Sequence, residues 1–248
     1  MITSKQNPFL KEIRSLSDKK YRDKLGLYLV EGTKIVNEAI ELKLPVRAVI
    51  GTERGLALVK DTDCRRECVS GEVFNSISSE ISPQGVIAVV EKPTNAIIAP
   101  KGCCLLLDGV ADPANVGAII RTAAASGYNY VYTTEECADP YSPKAVRSSM
   151  SGVFRVSVIR GKLCDLLSVI DKPLYVADMC GENAFKHIPK SDFCLCIGNE
   201  GHGVSSELKA RASVTVSIPM QNGVESLNAA VSAALLMYGL KGSITNSN

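Results

Sequence analysis

Three loops of the sequence bring together glycines, amides and charged side chains, which are groups that hold a polar ligand and stabilise charge in a reaction. They are DGVADPANVGAIIRTAAASG (108–127), IGNEGHGVS (197–205) and IPMQNGVESLNAAVSAALLMYG (218–239). Each loop follows a short run that is typical of a strand. We therefore expect the loops to meet at one edge of a sheet and to form a single site.

The first loop enters a helix that carries Arg121. Pro113 suits the first turn of this helix. Arg121 lies off the apolar face and shares its side of the helix with small residues, which are Ala114, Gly117, Ala118 and Ala125. A solvated arginine is the common case on a helix, but these surroundings leave room for a bulky group to approach. Arg121 is therefore a candidate functional residue.

The second loop reads G-x-x-G-x-G and differs from the dinucleotide fingerprint G-x-G-x-x-G, which disfavours a Rossmann cofactor site. Its glycines still allow backbone groups to approach a ligand closely. Glu200 is an acceptor for a ligand or for Arg121, or else a solvated turn carboxylate. His202 is a candidate base, but its glycine neighbours favour an exposed turn residue, and we give it no role.

The third loop ends in a helix start. Ser226 suits a helix cap, and capping is an interpretation of Asn228 as well. Asn228, just inside the helix, is a poor helix former unless it has a specific role. The apolar residues of this helix fall near one face and are Leu227, Val231, Leu235 and Tyr238.

The elements that position these loops alternate between helix and strand, so the fold class is α/β. A small N-terminal α/β domain is predicted over 1–94, with one basic helix at 5–20. A linker with two prolines leads to a second domain over 102–248. Its predicted strands indicate a mostly parallel sheet covered on both faces; they are 103–108, 129–133, 153–159, 174–178, 193–197 and 214–218.

Composition excludes several classes of protein. The 248 residues are 46% hydrophobic, enough for a large core. The sequence contains no apolar run of membrane-helix length and begins without a signal peptide, so we expect a cytoplasmic protein without membrane contact. The nine cysteines have no metal-ligand spacing, so reduced thiols and no metal site are expected.

The charges are balanced overall, at +2, but two segments are basic. Residues 1–30 carry seven Lys or Arg against three acids, and residues 140–164 carry five against none. Such patches suit a polyphosphate partner, although a solvated face is the alternative for either patch alone.

Taken together, the three loops resemble the motifs of the SpoU family, also called TrmH, of S-adenosylmethionine-dependent RNA 2'-O-ribose methyltransferases. The matching residues are Asn115-x-Gly117-x-x-x-Arg121, Gly198-Asn199-Glu200-Gly201-x-Gly203, and Ile218-Pro219-Met220 with Ser226-Leu227-Asn228. The N-terminal segments SKQNPFLKEIRSL, YLVEGTKIVNEAIE and QGVIAVVEKP are similar to the family's substrate-binding domain.

This resemblance implies a fold, a cofactor and a set of roles. The catalytic sheet would end in a deep trefoil knot that holds S-adenosylmethionine, and the protein would be a homodimer. The cofactor-binding residues would be Gly198, Ile218, Met220 and Leu227. Arg121 would act on the ribose hydroxyl as a charge stabiliser, since a guanidinium is a poor general base. The residues that orient Arg121 and the ribose would be Asn115, Glu200, Ser226 and Asn228.

The resemblance favours rRNA as the substrate, because family members that act on tRNA often have only short extensions in place of the N-terminal domain. A tRNA 2'-O-methyltransferase and a catalytically inactive RNA-binding module of the same fold stay open as alternatives. The intact Arg121, Glu200 and Asn228 argue against the inactive module.

Overall fold

The computed structural model describes residues 1–94 and 96–245, with side chains through residue 241. The chain forms two compact units. The first contains Met1–Thr94 together with Tyr141–Ser151, and the second contains Asn95–Pro140 and Gly152–Asn248. The segment 141–151, which the sequence places in the C-terminal domain, thus belongs to the first unit by its contacts.

The first unit is built on a four-stranded sheet with the order β1-β4-β2-β3. Its strands are β1 (Leu27–Glu31), β2 (Val46–Gly51), β3 (Arg65–Cys68) and β4 (Val86–Glu91). Strand β4 is antiparallel to β1 and β2, whereas β2 and β3 are parallel. The helices are α1 (Pro8–Ser15), α2 (Lys19–Leu25), α3 (Thr33–Glu41), α4 (Glu53–Leu56), α5 (Gly71–Asn75) and α7 (Pro143–Ser149). Sequence patterning missed β3, which is short and half exposed.

The basic segment at the N-terminus forms two helices, so the single helix expected over 5–20 is wrong. The side chain of Asp18 accepts a hydrogen bond from the backbone N–H of Lys20 at 2.9 Å and starts α2. An aspartate in an extended conformation favours a new helix start over continuation of the preceding helix.

The second unit contains a six-stranded sheet with the order β10-β8-β9-β5-β6-β7, and all its strand pairs are parallel. Its strands are β5 (Cys104–Asp108), β6 (Tyr130–Thr134), β7 (Ser157–Gly161), β8 (Leu174–Asn183), β9 (Cys194–Gly198) and β10 (Val214–Ser217). Its helices are α6 (Pro113–Ser126), α8 (Leu163–Val169), α9 (Ser206–Ala210) and α10 (Ala229–Thr245). The predicted parallel sheet is confirmed.

Two local features depart from the expected strands. The strand expected over 153–159 starts later, at Ser157, because Gly152–Phe154 form a 3-10 turn. Strand β8 is longer than expected and its register with β10 shifts between Thr215 and Val216. Residues 177–181 therefore leave the ladder and form a bulge at the carboxyl edge of the sheet.

The core of the second unit lies along β5 and β9, the two central strands. Their inner residues are fully buried, including the thiols of Cys104, Cys194 and Cys196. A strand buried on both faces has a continuous apolar sequence, and CCLLL and FCLCI read this way. In the described part of the chain, no helix has both the length and the apolar character that a membrane span requires.

Candidate functional site

A cavity of about 700 Å³ lies at the carboxyl ends of β8, β9 and β10 in the second unit. Its walls come from the β8 bulge, the glycine loop after β9, and the segment that follows β10. The cavity includes the four residues predicted to bind a cofactor, which are Gly198, Ile218, Met220 and Leu227. Glu200 and Ser226 also line it. A volume of this size is typical of a small-molecule or cofactor site.

The glycine loop is a tight turn whose own backbone requires glycine. A Cβ added at Gly198 would lie 2.1 Å from the carbonyl carbon of Gly203 and 2.2 Å from the backbone nitrogen of Val204. Gly203 has a φ of 67°, in the left-handed region. Glycine is therefore required at position 198 because Gly203 approaches it closely. The sequence interpretation had explained this glycine by the space that a ligand needs.

Asn199 organises this loop and was missed by the residue-by-residue interpretation. Its side-chain oxygen accepts hydrogen bonds from the backbone N–H groups of Gly201 at 2.9 Å and His202 at 3.2 Å. Its side-chain amide donates to the carbonyl of Gly109 at 2.8 Å, which joins the second loop to the first. An asparagine followed by a turn with glycines is the signal for such a side-chain turn.

A chain of side-chain hydrogen bonds connects the three loops. The Asn115 amide donates to the Glu200 carboxylate at 2.8 Å, and the Asn228 amide donates to the Asn115 side-chain oxygen at 3.0 Å. The Asn228 side-chain oxygen accepts from the backbone N–H of Ala230 at 2.9 Å. Asn228 thus caps α10, so the interpretation of Ser226 as the cap is wrong.

Glu200 is held as a carboxylate by this arrangement. Partial burial acts to raise the pKa of Glu200, but hydrogen bonds from the Asn115 side chain and from backbone N–H groups, including that of Ala111 at 3.3 Å, outweigh burial. The pKa of Glu200 is therefore lowered from its ordinary value. A fixed negative charge at this point can accept a further hydrogen bond or orient a neighbouring cation.

Arg121 is exposed on α6, with its backbone packed closely against the 3-10 turn. A Cβ added at Gly152 would lie 2.8 Å from the Cα of Arg121, so only glycine fits there. Within the described residues, the Arg121 guanidinium has neither a hydrogen bond nor an ion pair with a protein group. Glu200 accepts from Asn115, and of the partners that the sequence left open for it, Arg121 is not one that it contacts in this arrangement. The guanidinium is left available for a ligand.

The basic segments are largely committed to contacts within the protein. Arg147 pairs with Glu80, and the Arg160 guanidinium donates to the carbonyl of Cys137 at 2.9 Å. In the N-terminal segment the Lys5 ammonium bonds Glu72 at 2.6 Å. Arg14 donates to Ser76 and the buried Arg22 donates to backbone carbonyls. Among the described residues, the exposed basic side chains without such a partner in α1 and α2 are Lys11, Lys20 and Lys24.

Helix α10 has one apolar face buried and another exposed. Ala229, Ala233 and Met237 are buried in the second unit. The face predicted from the sequence is the exposed one, and its helical residues are Val231, Leu235 and Tyr238. Leu227, which was predicted to share this face, precedes the helix and is also exposed. These spacings of three and four residues form a continuous apolar stripe along the helix.

The parallel sheet, the cofactor-sized cavity at its carboxyl edge and the hydrogen-bonded polar side chains that reach this cavity are typical of an enzyme that binds a small-molecule cofactor. Comparison with known families agrees: residues 102–238 match the SpoU rRNA Methylase family and residues 7–88 match the MRM3-like substrate binding domain. The chain belongs to the SpoU rRNA methylase family, and the resemblance stated from its motifs is confirmed.

Individual relatives are similar over nearly the whole chain. The 23S rRNA (guanosine(2553)-2'-O)-methyltransferase RlmP of Bacillus subtilis is 31% identical, over 97% of this chain and 99% of its own. An AdoMet-bound rRNA methyltransferase from Sinorhizobium meliloti has a TM-score of 0.86 at 28% identity, covering 96% and 95% of the two chains. The SpoU methyltransferase AviRb of Streptomyces viridochromogenes, in complex with AdoMet, has a TM-score of 0.86 at 25% identity and covers 98% of both.

Proposed function

We propose that this protein transfers a methyl group from S-adenosylmethionine to the 2'-hydroxyl of a ribose in rRNA. The observation that carries the proposal is the chain of hydrogen bonds from the cavity wall at Glu200, through Asn115, to Asn228. It joins a cofactor-sized cavity to α6, the helix that carries Arg121. Family membership and the names of the rRNA-methylating relatives support the same activity.

The cavity fits S-adenosylmethionine in size and in chemistry. Ile218, Met220 and Leu227 supply apolar walls for a flat base, and the backbone at Gly198 is exposed to the cavity at the end of β9. When bound, the cofactor supplies an electrophilic methyl group on a sulfonium. We assign these four residues to cofactor binding.

Arg121 is proposed to act on the nucleophile. Its guanidinium is a cationic hydrogen-bond donor, so it stabilises the alkoxide that develops at the 2'-oxygen and anchors a neighbouring phosphate. Asn115, Glu200, Ser226 and Asn228 are proposed to orient Arg121 and the ribose. The fixed hydrogen bonds of Asn115 reduce the reorganisation that this positioning requires.

Two architectural features belong to the same proposal. A trefoil knot is supported by the chain path, since β10 pairs with β8 at the sheet edge and α10 then packs against α6 and β9. The domains are proposed to divide the work, with 1–94 delivering RNA and 102–248 catalysing transfer. The bacterial relative's name specifies 23S rRNA, which supports a location in the cytoplasm.

A homodimer is supported by the exposed apolar stripe of α10, because an apolar helix face of this length is unfavourable in water. Leu235→Glu places a charge in the stripe and is expected to shift the protein to monomers in sedimentation velocity. Ser232→Glu, on the same helix and outside the stripe, is the matched control for the added charge. A monomeric unaltered protein at micromolar concentration contradicts the dimer.

The activity is tested by incubating the protein with S-adenosylmethionine carrying a labelled methyl group and either rRNA or tRNA. We expect label in rRNA, on a ribose, with little in tRNA. Label in tRNA alone identifies a tRNA enzyme. Binding of RNA without binding of S-adenosylmethionine identifies an inactive RNA-binding module.

A further inference from the structure

An ion pair on the cavity wall has no part in the roles assigned so far. Asp178 lies in the β8 bulge and Lys209 lies on α9, and both line the cavity. The Lys209 ammonium and the Asp178 carboxylate are 2.7 Å apart. The Asp178 side chain is 22% exposed and the Lys209 side chain is 45% exposed, so both retain access to the cavity and its mouth.

The bulge that carries Asp178 is fixed in place. The second Asp178 carboxylate oxygen accepts a hydrogen bond from the backbone N–H of Cys180 at 3.0 Å. A Cβ added at Gly181 would lie 2.6 Å from backbone atoms of Val216, and the Ser217 hydroxyl donates to the Gly181 carbonyl at 2.8 Å. The N–H of Cys180 and the contact with Lys209 lower the pKa of Asp178, against the effect of burial, so its carboxylate is charged at neutral pH.

The position of the pair separates it from the reacting groups. Asp178 lies in the bulge of β8, whereas Asn115 and Arg121 lie on α6, which follows β5. Strand β9 runs between β8 and β5. Adjacent strands are about 4.8 Å apart, so the pair lies roughly 10 Å along the sheet edge from the α6 side. A ligand that presents its reacting centre to α6 therefore places one of its ends beside Asp178 and Lys209.

We infer that Asp178 and Lys209 bind the zwitterionic amino-acid end of S-adenosylmethionine. This inference rests on the proposed function. A carboxylate and an ammonium side by side complement an α-ammonium and an α-carboxylate, with Asp178 accepting from the former and Lys209 donating to the latter. A ribose diol is uncharged and gives no reason for a cation at this point. The pair thus selects ligands that carry the amino-acid tail.

The test compares two ligands that share an adenosine and differ in the tail. S-adenosylhomocysteine has the zwitterion, whereas 5'-methylthioadenosine lacks it, and titration calorimetry measures both on the full chain. Lys209→Gln and Asp178→Asn are each expected to weaken S-adenosylhomocysteine about tenfold, which is about 1.4 kcal/mol. Both variants are expected to bind 5'-methylthioadenosine within about twofold of the unaltered protein. Asparagine at 178 keeps an oxygen for the Cys180 N–H, so the bulge is preserved.

Arg211→Gln is the matched control. Arg211 pairs with Glu207 at 3.2 Å beside the same helix, yet it is not among the cavity-lining residues, and its loss is expected to affect neither ligand. Equal weakening of both ligands by Lys209→Gln, or no weakening of S-adenosylhomocysteine, overturns the inference. The unaltered protein is measured first: if it binds neither ligand, the proposed function fails and this inference fails with it.

Discussion

Replacing Gly198 by alanine tests the most constrained point of the site. The added Cβ meets three backbone atoms, the carbon and oxygen of Gly203 and the nitrogen of Val204, at 2.1 to 2.3 Å. Ordinary contacts begin near 3.4 Å, so one side of the turn must move by about 1 Å. Both hydrogen bonds between Asn199 and Gly203, at 3.0 and 2.9 Å, weaken as it moves.

Overpacking in a close-packed region costs about 1–3 kcal/mol, and backbone neighbours cannot rotate away as a side chain does. We therefore expect Gly198→Ala to lower the free energy of unfolding by about 3 kcal/mol in urea titrations. Because the displaced turn is a wall of the cavity, the affinity for S-adenosylhomocysteine should fall at least about tenfold in calorimetry.

Gly201→Ala is the matched control, since Gly201 lines the same cavity on the same loop. An added Cβ there meets only the Asn199 side-chain oxygen, at 3.6 Å, which is an ordinary contact. Its effect on the free energy of unfolding should stay within about 0.5 kcal/mol. The reasoning is refuted if the two variants have the same free energy of unfolding, or if Gly198→Ala has the free energy of unfolding of the unaltered protein.

The remaining predictions concern catalysis, RNA binding and pH. Arg121→Ala should lower single-turnover methyl transfer about a hundredfold or more, the scale for losing one preorganised charge stabiliser, and leave S-adenosylhomocysteine affinity unchanged in calorimetry. Replacing Lys11, Lys20 and Lys24 by glutamine should weaken rRNA binding in filter assays and flatten the slope of log affinity against log salt by up to about two units. The lowered pKa of Glu200 stabilises the fold above the group's ordinary value of 4.5, and this stabilisation is lost as pH falls through the lower folded pKa. Glu200→Gln should therefore show a smaller loss of stability in urea titrations between pH 7 and pH 3 than the unaltered protein.

Each of these predictions has a contrasting outcome. Normal turnover by Arg121→Ala removes it from the reaction. Lys5→Gln with Arg14→Gln is the control for the lysine variant, because Lys5 and Arg14 already bond Glu72 and Ser76 within the protein. An unchanged salt slope in the variant of Lys11, Lys20 and Lys24 means that these lysines do not contact phosphate. The same acid sensitivity with and without Glu200 assigns the pH dependence to other groups.

The sequence predicted the sheet and the meeting of the loops because both follow from local pattern. Buried parallel strands such as CCLLL are continuous apolar runs, and loops at their carboxyl ends converge in any such sheet. The spacing of Val231, Leu235 and Tyr238 also predicted that these residues share one face of α10. Periodicity does not say whether such a face is covered, and here it is exposed.

The sequence could not predict contacts that depend on distant parts of the chain. The sequence left Glu200 as an acceptor for a ligand or for Arg121, or as a solvated carboxylate. It did not predict that the side-chain amide of Asn115, 85 residues away, donates to this carboxylate. The glycine at position 198 was explained by contact with a ligand, whereas the close approach of the Gly203 backbone is what requires it. The sequence indicated a basic segment over residues 1–30, but it could not predict that Lys5 and Arg14 within it bond Glu72 and Ser76, more than 60 residues along the chain.

The central claim is that this protein methylates the 2'-hydroxyl of a ribose in rRNA. The direct measurement maps 2'-O-methylation across the rRNA of cells that carry the unaltered gene, lack it, or carry Arg121→Ala. We predict one ribose that is methylated only with the unaltered gene, and that a transcript with 2'-deoxyribose at that nucleotide accepts no methyl group from the purified protein. An rRNA methylation map that is identical in all three strains contradicts the claim.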